Sequence, residues 1–253
     1  MKLATFVASG GPRVGVVTRD DRIAEVGGYP DMLALIESGA AGLARAREAA
    51  SNALSHPLSA VKLLAPLPRP PRIRDFLCFE LHVRQSRANR HLFGMGSERL
   101  DPAKVEIAKI WYERPVYYKG NPFSVVGHDA EVHWPSYSRI IDYELEIGVV
   151  IGRGGRNVAS AQALEHVFGY TVFNDFSARD AQYIEMQGQL GPAKGKDFDT
   201  GNALGPWITT ADEIPDPQSL EMSARVNGER WSHGTSRDMR HTFRDIIAYA
   251  SLE

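Results

Sequence analysis

The sequence predicts a mostly β protein with a few peripheral helices, an α+β fold. Short apolar runs that alternate with turns dominate the chain after residue 66, among them VYYKGNPFSVVG, DAEVHWP and IIDYELEIGVVIG. Helical spacing of apolar residues is confined to a few stretches, such as residues 31–54 and the end of the chain, IIAYASLE. With 253 residues, of which 43% are hydrophobic and 24% charged, the chain is long enough for a substantial core.

The N-terminal quarter of the chain has an organisation of its own. Two β-rich runs flank the turn SGGP, and one or two helices are expected within 31–54. A connector with five prolines follows, LLAPLPRPPRIRD together with Pro57, and proline at that density excludes helix interior and central strand. We therefore expect a small α+β domain over residues 1–65 and a larger domain over residues 66–253.

The composition argues against several classes of protein. The 29 Lys and Arg nearly balance the 31 Asp and Glu, giving a net charge of −2, whereas nucleic-acid-binding proteins usually show a basic excess. A single cysteine, Cys78, excludes an intramolecular disulfide and fits a reducing compartment. No segment approaches the roughly 18 apolar residues of a membrane span. We expect a cytoplasmic protein that binds neither nucleic acid nor membrane.

Signatures of several common enzyme classes are absent from the sequence. The run GPAKGK resembles a phosphate-binding loop, but only three residues separate Gly191 from Gly195, and Asp197 stands where Ser or Thr would bind the metal. Neither a GxSxG nucleophile elbow nor an HExxH helix occurs. Core packing explains Cys78, in FLCF, better than a role as a nucleophile paired with His82.

In the segment HVRQSRANRH, every third residue from Arg84 is an arginine (Arg84, Arg87 and Arg90), a spacing that would place them on one face of a helix. A solvated helix face is the simplest interpretation. The alternative is a lid whose arginines meet an acidic substrate, since the glycine-containing stretch LFGMGSERLDP follows. A nucleic-acid-binding face is disfavoured by the negative net charge and by the lack of an aromatic-rich RNA motif.

The run IIDYELEIGVVIG is the most informative segment of the chain. Alternate residues of a strand share a face, so Asp142, Glu144 and Glu146 lie on one side. Like charges about 7 Å apart repel, and carboxylates are poor strand formers. An ordinary solvated acidic face remains one interpretation. A divalent cation is the other, because Mg²⁺ and Ca²⁺ prefer several carboxylate oxygens.

A further acid occurs where the apolar run in VFGYTVFNDFSARDAQ ends. Asp175 is predicted at a strand end, and Ser177 with Asp180 matches a capping box that would begin a helix. Arg179 and Gln182 are three residues apart and share a helix face. They suit a substrate with carboxylate or carbonyl oxygens, or they belong to a simple capped helix with a solvated arginine.

One more acid and a histidine follow the proline connector in RIRDFLCFELHV. Asp75 is either a fourth acidic ligand or a helix N-cap. His82 lies seven residues later and is either a structural histidine or a general base.

Together, these residues resemble the fumarylacetoacetate hydrolase family over roughly residues 66–250. The family signatures here are the E-x-E strand, NDFSARDAQ, GPAKGKDFDTGNALGPW and the segment LEMSARVNGERWSHGTSRDM. The resemblance implies a set of four metal ligands, Asp75, Glu144, Glu146 and Asp175. It implies His82, Lys196 and Arg179 as catalytic residues. It implies substrate binding by Gln182, Arg179 and Lys196.

The resemblance also implies a β-roll or β-sandwich core, a homodimer and a reaction. The reaction would be hydrolysis of a C–C bond in a β-diketo acid such as an acylpyruvate, with Mg²⁺, or alternatively Ca²⁺ or Mn²⁺, as Lewis acid. Relatives with the same ligands catalyse hydration, decarboxylation or tautomerisation of 2-oxo acids, so these reactions are alternatives. A metal-free binding or structural protein is the alternative from another class.

Two features depart from the family pattern. Gln85 stands where many small members pair the base with a glutamate, so the residue that orients His82 is not evident from the sequence. The closing Gly-Thr turn of the family is missing. We therefore expect residues 66–253 to lack the C-terminal closing segment of the catalytic core.

Overall fold

The computed structural model describes residues 1–51 and 54–253. The strands are β1 (Lys2–Val7), β2 (Arg13–Val17), β3 (Arg22–Glu25), β4 (Ser55–Pro57), β5 (Lys62–Leu63), β6 (Ile73–Phe76), β7 (Tyr117–Gly120), β8 (Val125–Val126), β9 (Ile141–Asp142), β10 (Leu145–Ile151), β11 (Val167–Asp175), β12 (Ser177–Ala178), β13 (Asn202–Thr210), β14 (Glu221–Val226) and β15 (Glu229–Thr235). The α-helices are α1 (Met32–Glu37), α2 (Ala40–Ala50), α3 (Glu80–Ala88), α4 (Lys109–Glu113), α5 (Arg179–Met186), α6 (Ala193–Lys196) and α7 (Phe243–Ala250). Short 3₁₀ helices span Leu58–Ala60, Arg90–Phe93, Pro102–Lys104, Ser160–His166, Ala211–Glu213, Pro217–Ser219 and Ser236–Asp238.

One large sheet dominates the fold. Within the described ranges it has nine strands in the order β10-β11-β13-β1-β2-β3-β4, with β5 paired to β1 and β8 paired to β13. Its strand pairs are antiparallel except β8–β13. The pairs β6–β7, β9–β12 and β14–β15 lie apart from it. The predicted fold class, mostly β with peripheral helices, is confirmed. No helix in the part of the chain that the structure describes is long and apolar enough to cross a membrane.

The N-terminal segment shares this sheet with the rest of the chain. Strand β1 pairs with β2 on one side and with β13 on the other, where Leu3 faces Ile208. The helices α1 and α2 cover one face of these strands, as the periodicity within 31–54 predicts, although residues 52–53 lie outside the described ranges. The largest buried cluster therefore joins both parts of the chain: it includes Leu3, Val14, Val16, Met32, Leu35, Ile36, Phe168 and Ile208.

A second apolar cluster supports the strand that carries the acidic residues. Helix α7 begins with a capping box formed by Thr242 and Asp245. Its Phe243 and Ile246 pack around Cys78, and Ile147 of β10 lies against them. Cys78 is only 4% exposed, so the predicted packing role of this cysteine is confirmed.

The predicted capping box at the start of α5 is wrong. Ser177 lies in β12 and pairs with Asp142, which keeps its backbone extended. The helix begins at Arg179. The Asp180 carboxylate instead accepts a hydrogen bond at 2.5 Å from the hydroxyl of Ser138, so it anchors a neighbouring loop.

One other predicted element differs from the structure. The run DAEVHWP forms no strand, because its His133 backbone N–H donates to the Thr200 hydroxyl at 2.7 Å rather than to a neighbouring strand. Residues 160–166 form a 3₁₀ helix.

Candidate metal centre

Four acidic side chains from distant parts of the chain converge at one point. One carboxylate oxygen from each lies within 4.8 Å of the oxygens of the others. The residues are Asp75 in β6, Glu144 just before β10, Glu146 in β10 and Asp175 at the end of β11. Because Asp75 lies in a strand, the alternative that it caps a helix is excluded.

Strand alternation brings the two glutamates to the same side. Glu144 and Glu146 are two residues apart in an extended segment, so both side chains point toward the acidic cluster. The positions on either side of this pair face the other way: the Tyr143 hydroxyl contacts that of Ser232, and Ile147 packs in the cluster around Cys78. The face assignment from the sequence is therefore confirmed.

A lysine supplies positive charge inside this acidic cluster. Lys196, at the end of α6, is 4% exposed. Its Nζ atom donates to Glu144 Oε2 at 2.7 Å and to Asp175 Oδ2 at 2.5 Å. The sequence-predicted Lys196 thus lies among the acids, and two of its three N–H groups are engaged by them.

The arginine of the signature is buried and bound by protein groups. Nε and Nη2 of Arg179 donate to Asp142 Oδ2 at 2.9 and 2.8 Å. Its Nη1 lies 2.6 Å from Glu144 Oε1 and donates to Gln182 Oε1 at 3.1 Å. The predicted proximity of Arg179 and Gln182 is thus observed, and the guanidinium holds a carboxylate on each side.

His82 borders the same cluster from helix α3. Its Nε2 is 3.6 Å from Glu144 Oε1, and its side chain is 39% exposed. Burial lowers the pKa of His82, the positive charges of Arg179 and Lys196 lower it further, and the charge of Glu144 opposes them. Glu144 is therefore an acid close enough to interact electrostatically with this imidazole, a neighbour that the sequence did not reveal.

Burial and crowding shift the pKa of every acid in the cluster. Burial, reinforced by neighbouring carboxylates, raises the pKa of Asp75 to about 7. Burial is also the main cause that raises the pKa of Glu146 and of Asp175 above their usual values. Burial acts in the same direction on Glu144 and is the largest single cause, but the charges of Lys196, Arg179 and His82 together outweigh it and hold that pKa below its usual range. Such a cluster favours additional positive charge.

Two carboxylate oxygens in the cluster are free to bind a cation. Asp75 Oδ2 and Asp175 Oδ1 are buried, and neither has a hydrogen-bond partner within the described residues. A buried acceptor without a partner is costly. Four carboxylates are the donors that hard divalent cations prefer. The residues present therefore fit a divalent metal ion.

Two residues that contact side chains of this site were given no role by the sequence analysis. The Tyr118 hydroxyl donates to Asp175, and burial, with the charge of Asp75 next, raises the pKa of this tyrosine above its usual value. No local pattern distinguishes Tyr118 from the adjacent Tyr117, because only the pairing of β6 with β7 places it there. Asp142 was assigned to the acidic face but given no role; its signal is the same alternation that identifies the glutamates.

Comparisons with known families agree with this geometry. Residues 73–253 match the family described as fumarylacetoacetate (FAA) hydrolase C-terminal. Residues 1–66 match the family described as Rv2993c-like, N-terminal. The chain belongs to the fumarylacetoacetate hydrolase family.

Individual relatives of this family member include hydrolases and isomerases. A protein of Burkholderia lata with the provisional name of a hydrolase is 36% identical over 99% of this chain and 81% of its own. The crystal structure of maleylpyruvate hydrolase from Sphingobium sp. SYK-6, with manganese(II) and pyruvate, is 28% identical with a TM-score of 0.73, covering 99% of this chain and 83% of that one. A provisionally named 2-hydroxyhepta-2,4-diene-1,7-dioate isomerase from Mycobacterium abscessus is 27% identical with a TM-score of 0.71, covering 99% and 80%.

A large cavity opens beside the acidic cluster of this family member. Its volume is about 1490 Å³, and His82, Glu144 and Glu146 contribute to its wall. Tyr143 and Trp231 line it as well and give part of the wall an aromatic character. The cavity extends along both sides of residues 143–147, because Tyr143 and Ile147, which point away from the four acids, line it together with Glu144 and Glu146.

The predicted solvated arginine face on α3 fits Arg87 and Arg90, which are exposed, whereas Arg84 is partly buried. Arg84 lies 2.7 Å from Glu80 and donates to the backbone carbonyl of Val105 at 2.7 Å. Arg87 donates to the carbonyl of Glu106 at 2.7 Å. These contacts fasten the helix to the following loop, because a guanidinium has enough donors to serve both a carboxylate and a carbonyl.

Proposed function

We propose that this protein hydrolyses a C–C bond in a β-diketo acid of the acylpyruvate class and that the reaction requires a divalent cation. The observation that carries the proposal is the convergence of four carboxylates, with two buried unpartnered oxygens among the described residues, beside Lys196 and the half-exposed His82. The maleylpyruvate hydrolase of Sphingobium, solved with manganese(II) and pyruvate, supports the substrate class and the need for a metal.

The proposed ligands of the cation are Asp75, Glu144, Glu146 and Asp175. Mg²⁺ is our first choice because all four donors are carboxylates, and Mn²⁺ or Ca²⁺ are the alternatives. When bound, such an ion supplies Lewis acidity to the oxygens of a 1,3-dicarbonyl substrate.

His82 acts as the general base in this proposal. It removes a proton from the attacking water, and Glu144, 3.6 Å from its Nε2, stabilises the imidazolium that forms. Water adds to the carbonyl carbon remote from the substrate carboxylate, and the adjacent C–C bond breaks. The electron pair of that bond leaves on the methylene carbon as an enolate, which takes a proton to give pyruvate; the acyl half leaves as a carboxylic acid.

Lys196 and Gln182 serve the substrate oxygens. Lys196 has two N–H groups engaged by Glu144 and Asp175, so its third can donate to the developing enolate oxygen. The Gln182 carbonyl accepts from Arg179, which fixes the side-chain amide and directs its NH₂ group to other acceptors. Although the sequence resemblance implied direct substrate contact by Arg179, we propose that it mainly holds Glu144 and Gln182 in place.

Isomerisation of a 2-oxo acid is the second candidate, favoured by the isomerase name of the Mycobacterium abscessus neighbour. The same base and the same enolate-stabilising lysine would move a proton between carbons without breaking a C–C bond. Hydration and decarboxylation use the same groups. Product analysis separates these reactions, because only cleavage of an acylpyruvate yields pyruvate together with a carboxylic acid.

The test is turnover of an acylpyruvate panel by the full chain, with EDTA or with added Mg²⁺, Mn²⁺ or Ca²⁺. We expect pyruvate to be released only with a divalent cation and Glu144→Ala to abolish the release. Glu131→Ala is the matched control, since Glu131 is exposed and lies outside the cluster. Turnover that persists in EDTA, or that survives Glu144→Ala, would overturn the proposal.

A further inference from the structure

Tyr118 enters the acidic cluster from the strand opposite Asp75. In the antiparallel pair β6–β7, Tyr118 is the direct cross-strand partner of Asp75. Side chains of directly opposed residues lie on the same face of a strand pair. The pairing therefore brings a phenol to the same side as one of the four carboxylates.

The Tyr118 hydroxyl determines which oxygen of Asp175 is free. It donates to Oδ2 of Asp175, and the same oxygen accepts from Lys196 at 2.5 Å. The other oxygen, Oδ1, is buried and has no hydrogen-bond partner within residues 1–51 and 54–253. The Tyr118 hydroxyl and Lys196 both donate to Oδ2, so a rotation of the carboxylate would break these two hydrogen bonds. They therefore fix the carboxylate with Oδ1 available to bind a cation.

The ring of Tyr118 also contacts Lys196. The Nζ atom lies 5.8 Å from the ring centroid, which is within the range of a cation–π interaction. One side chain thus fixes an acid and the lysine that pairs with it.

We propose that Tyr118 is a positioning residue that presents Oδ1 of Asp175 to the divalent cation. This inference rests on the proposed function, because it takes the four carboxylates to be metal ligands. Groups that hydrogen-bond to metal ligands commonly change metal affinity by about 10- to 100-fold when they are removed.

The test compares Mn²⁺ affinity of the full chain with that of Tyr118→Phe, which removes only the hydroxyl. Free Mn²⁺ is followed by electron paramagnetic resonance, so no substrate or turnover is needed. We expect Kd to rise by at least about 10-fold. Tyr117→Phe is the matched control: it makes the same chemical change on the same strand, but its ring packs on Phe76, 4.8 Å between centroids, outside the acidic cluster.

Further measurements separate positioning from a merely structural role. Thermal melts in EDTA report folding, and a structural role would lower Tm of Tyr118→Phe without shifting the Mn²⁺ Kd. Tyr118→Met, which keeps apolar bulk without a donor, should weaken Mn²⁺ binding in the same way, and it replaces Tyr118→Phe if that variant does not fold. If the wild-type chain binds Mn²⁺ and both variants bind it equally well, the positioning role is overturned while the proposed function stands. If the wild-type chain itself fails to bind Mn²⁺, the metal centre and this inference fall together.

Discussion

The Nζ atom of Lys196 lies 2.7 Å from Oε2 of Glu144, and the two side chains form a buried ion pair. Their side chains are 4% and 12% exposed. Removing one partner of such a pair leaves an uncompensated charge in surroundings of low polarity and costs about 3–5 kcal/mol. Lys196 also pairs with Asp175, so its loss would leave Asp175 without this cation, while Glu144 would keep its contact with Arg179.

We therefore predict that Lys196→Met lowers the free energy of unfolding in EDTA by about 3–5 kcal/mol, measured by urea denaturation. Added Mg²⁺ should narrow the difference, because a second source of positive charge reaches the same carboxylates. Lys194→Met, at an exposed position two residues away, is the control and should change stability by less than about 0.5 kcal/mol. A loss of under 1 kcal/mol for Lys196→Met would contradict the prediction.

Substitution of Arg179 by lysine should not be conservative. The guanidinium holds Asp142 through two nitrogens and Glu144 through the third, and a single ammonium cannot reproduce that fork. Arg179→Lys should lower the free energy of unfolding by about 1.5–3 kcal/mol, the contribution of a charged hydrogen bond, and should also reduce turnover. Urea denaturation and the pyruvate assay measure the two effects.

The control for this substitution is Arg87→Lys on α3. Among the described residues, the Arg87 side chain makes one hydrogen bond, to the carbonyl of Glu106, and a lysine can replace it. Equal stability of the Arg179→Lys and Arg87→Lys proteins would refute the bidentate role.

His82→Ala should separate catalysis from metal binding. A general base contributes about 10²- to 10⁴-fold, so kcat for pyruvate release should fall by that factor. The Mn²⁺ Kd should stay within about threefold of wild type, because the four carboxylates provide the proposed ligands. His128→Ala, at a half-exposed histidine, is the control for both measurements. A parallel loss of Mn²⁺ affinity and kcat would instead make His82 part of the metal centre.

Local patterns predicted much of this site because two of its acids lie in one strand. The alternation in IIDYELEIGVVIG places Glu144 and Glu146 together without any knowledge of the fold. The convergence of Asp75 and Asp175 with them depends on pairings between distant strands, and only the family resemblance anticipated it. Tyr118 escaped notice for the same reason: its position follows from the β6–β7 register.

The wrong prediction of a capping box at the start of α5 has a local physical cause. The capping box at Ser177 matched in sequence, but pairing with Asp142 in β12–β9 keeps that residue extended.

The division near residue 66 stays a prediction, since β1 and β13 share one sheet across it. The homodimer also stays a prediction.

The buried thiol of Cys78 should cause the free energy of unfolding to fall at alkaline pH. Burial raises the pKa of its thiol to about 12, and the charges of Asp75 and Asp245 add to the shift. In the unfolded chain this thiol titrates near 8.5. The folded state thus holds the thiol proton more tightly than the unfolded chain does. The contribution of this difference to the free energy of unfolding is complete below pH 8.5. It is lost as pH rises toward 12, by up to about 1.4 kcal/mol per pH unit.

Urea denaturation of the wild-type and Cys78→Ala proteins between pH 8 and pH 11 tests this effect. The substitution creates a cavity and lowers stability at every pH, so the slopes are compared rather than the absolute values. The wild-type chain should lose stability more steeply above pH 9, and parallel curves would contradict the prediction. The native thiol should also resist an aromatic disulfide reagent at pH 8, since it is 4% exposed and protonated, and should react fully once the chain is unfolded.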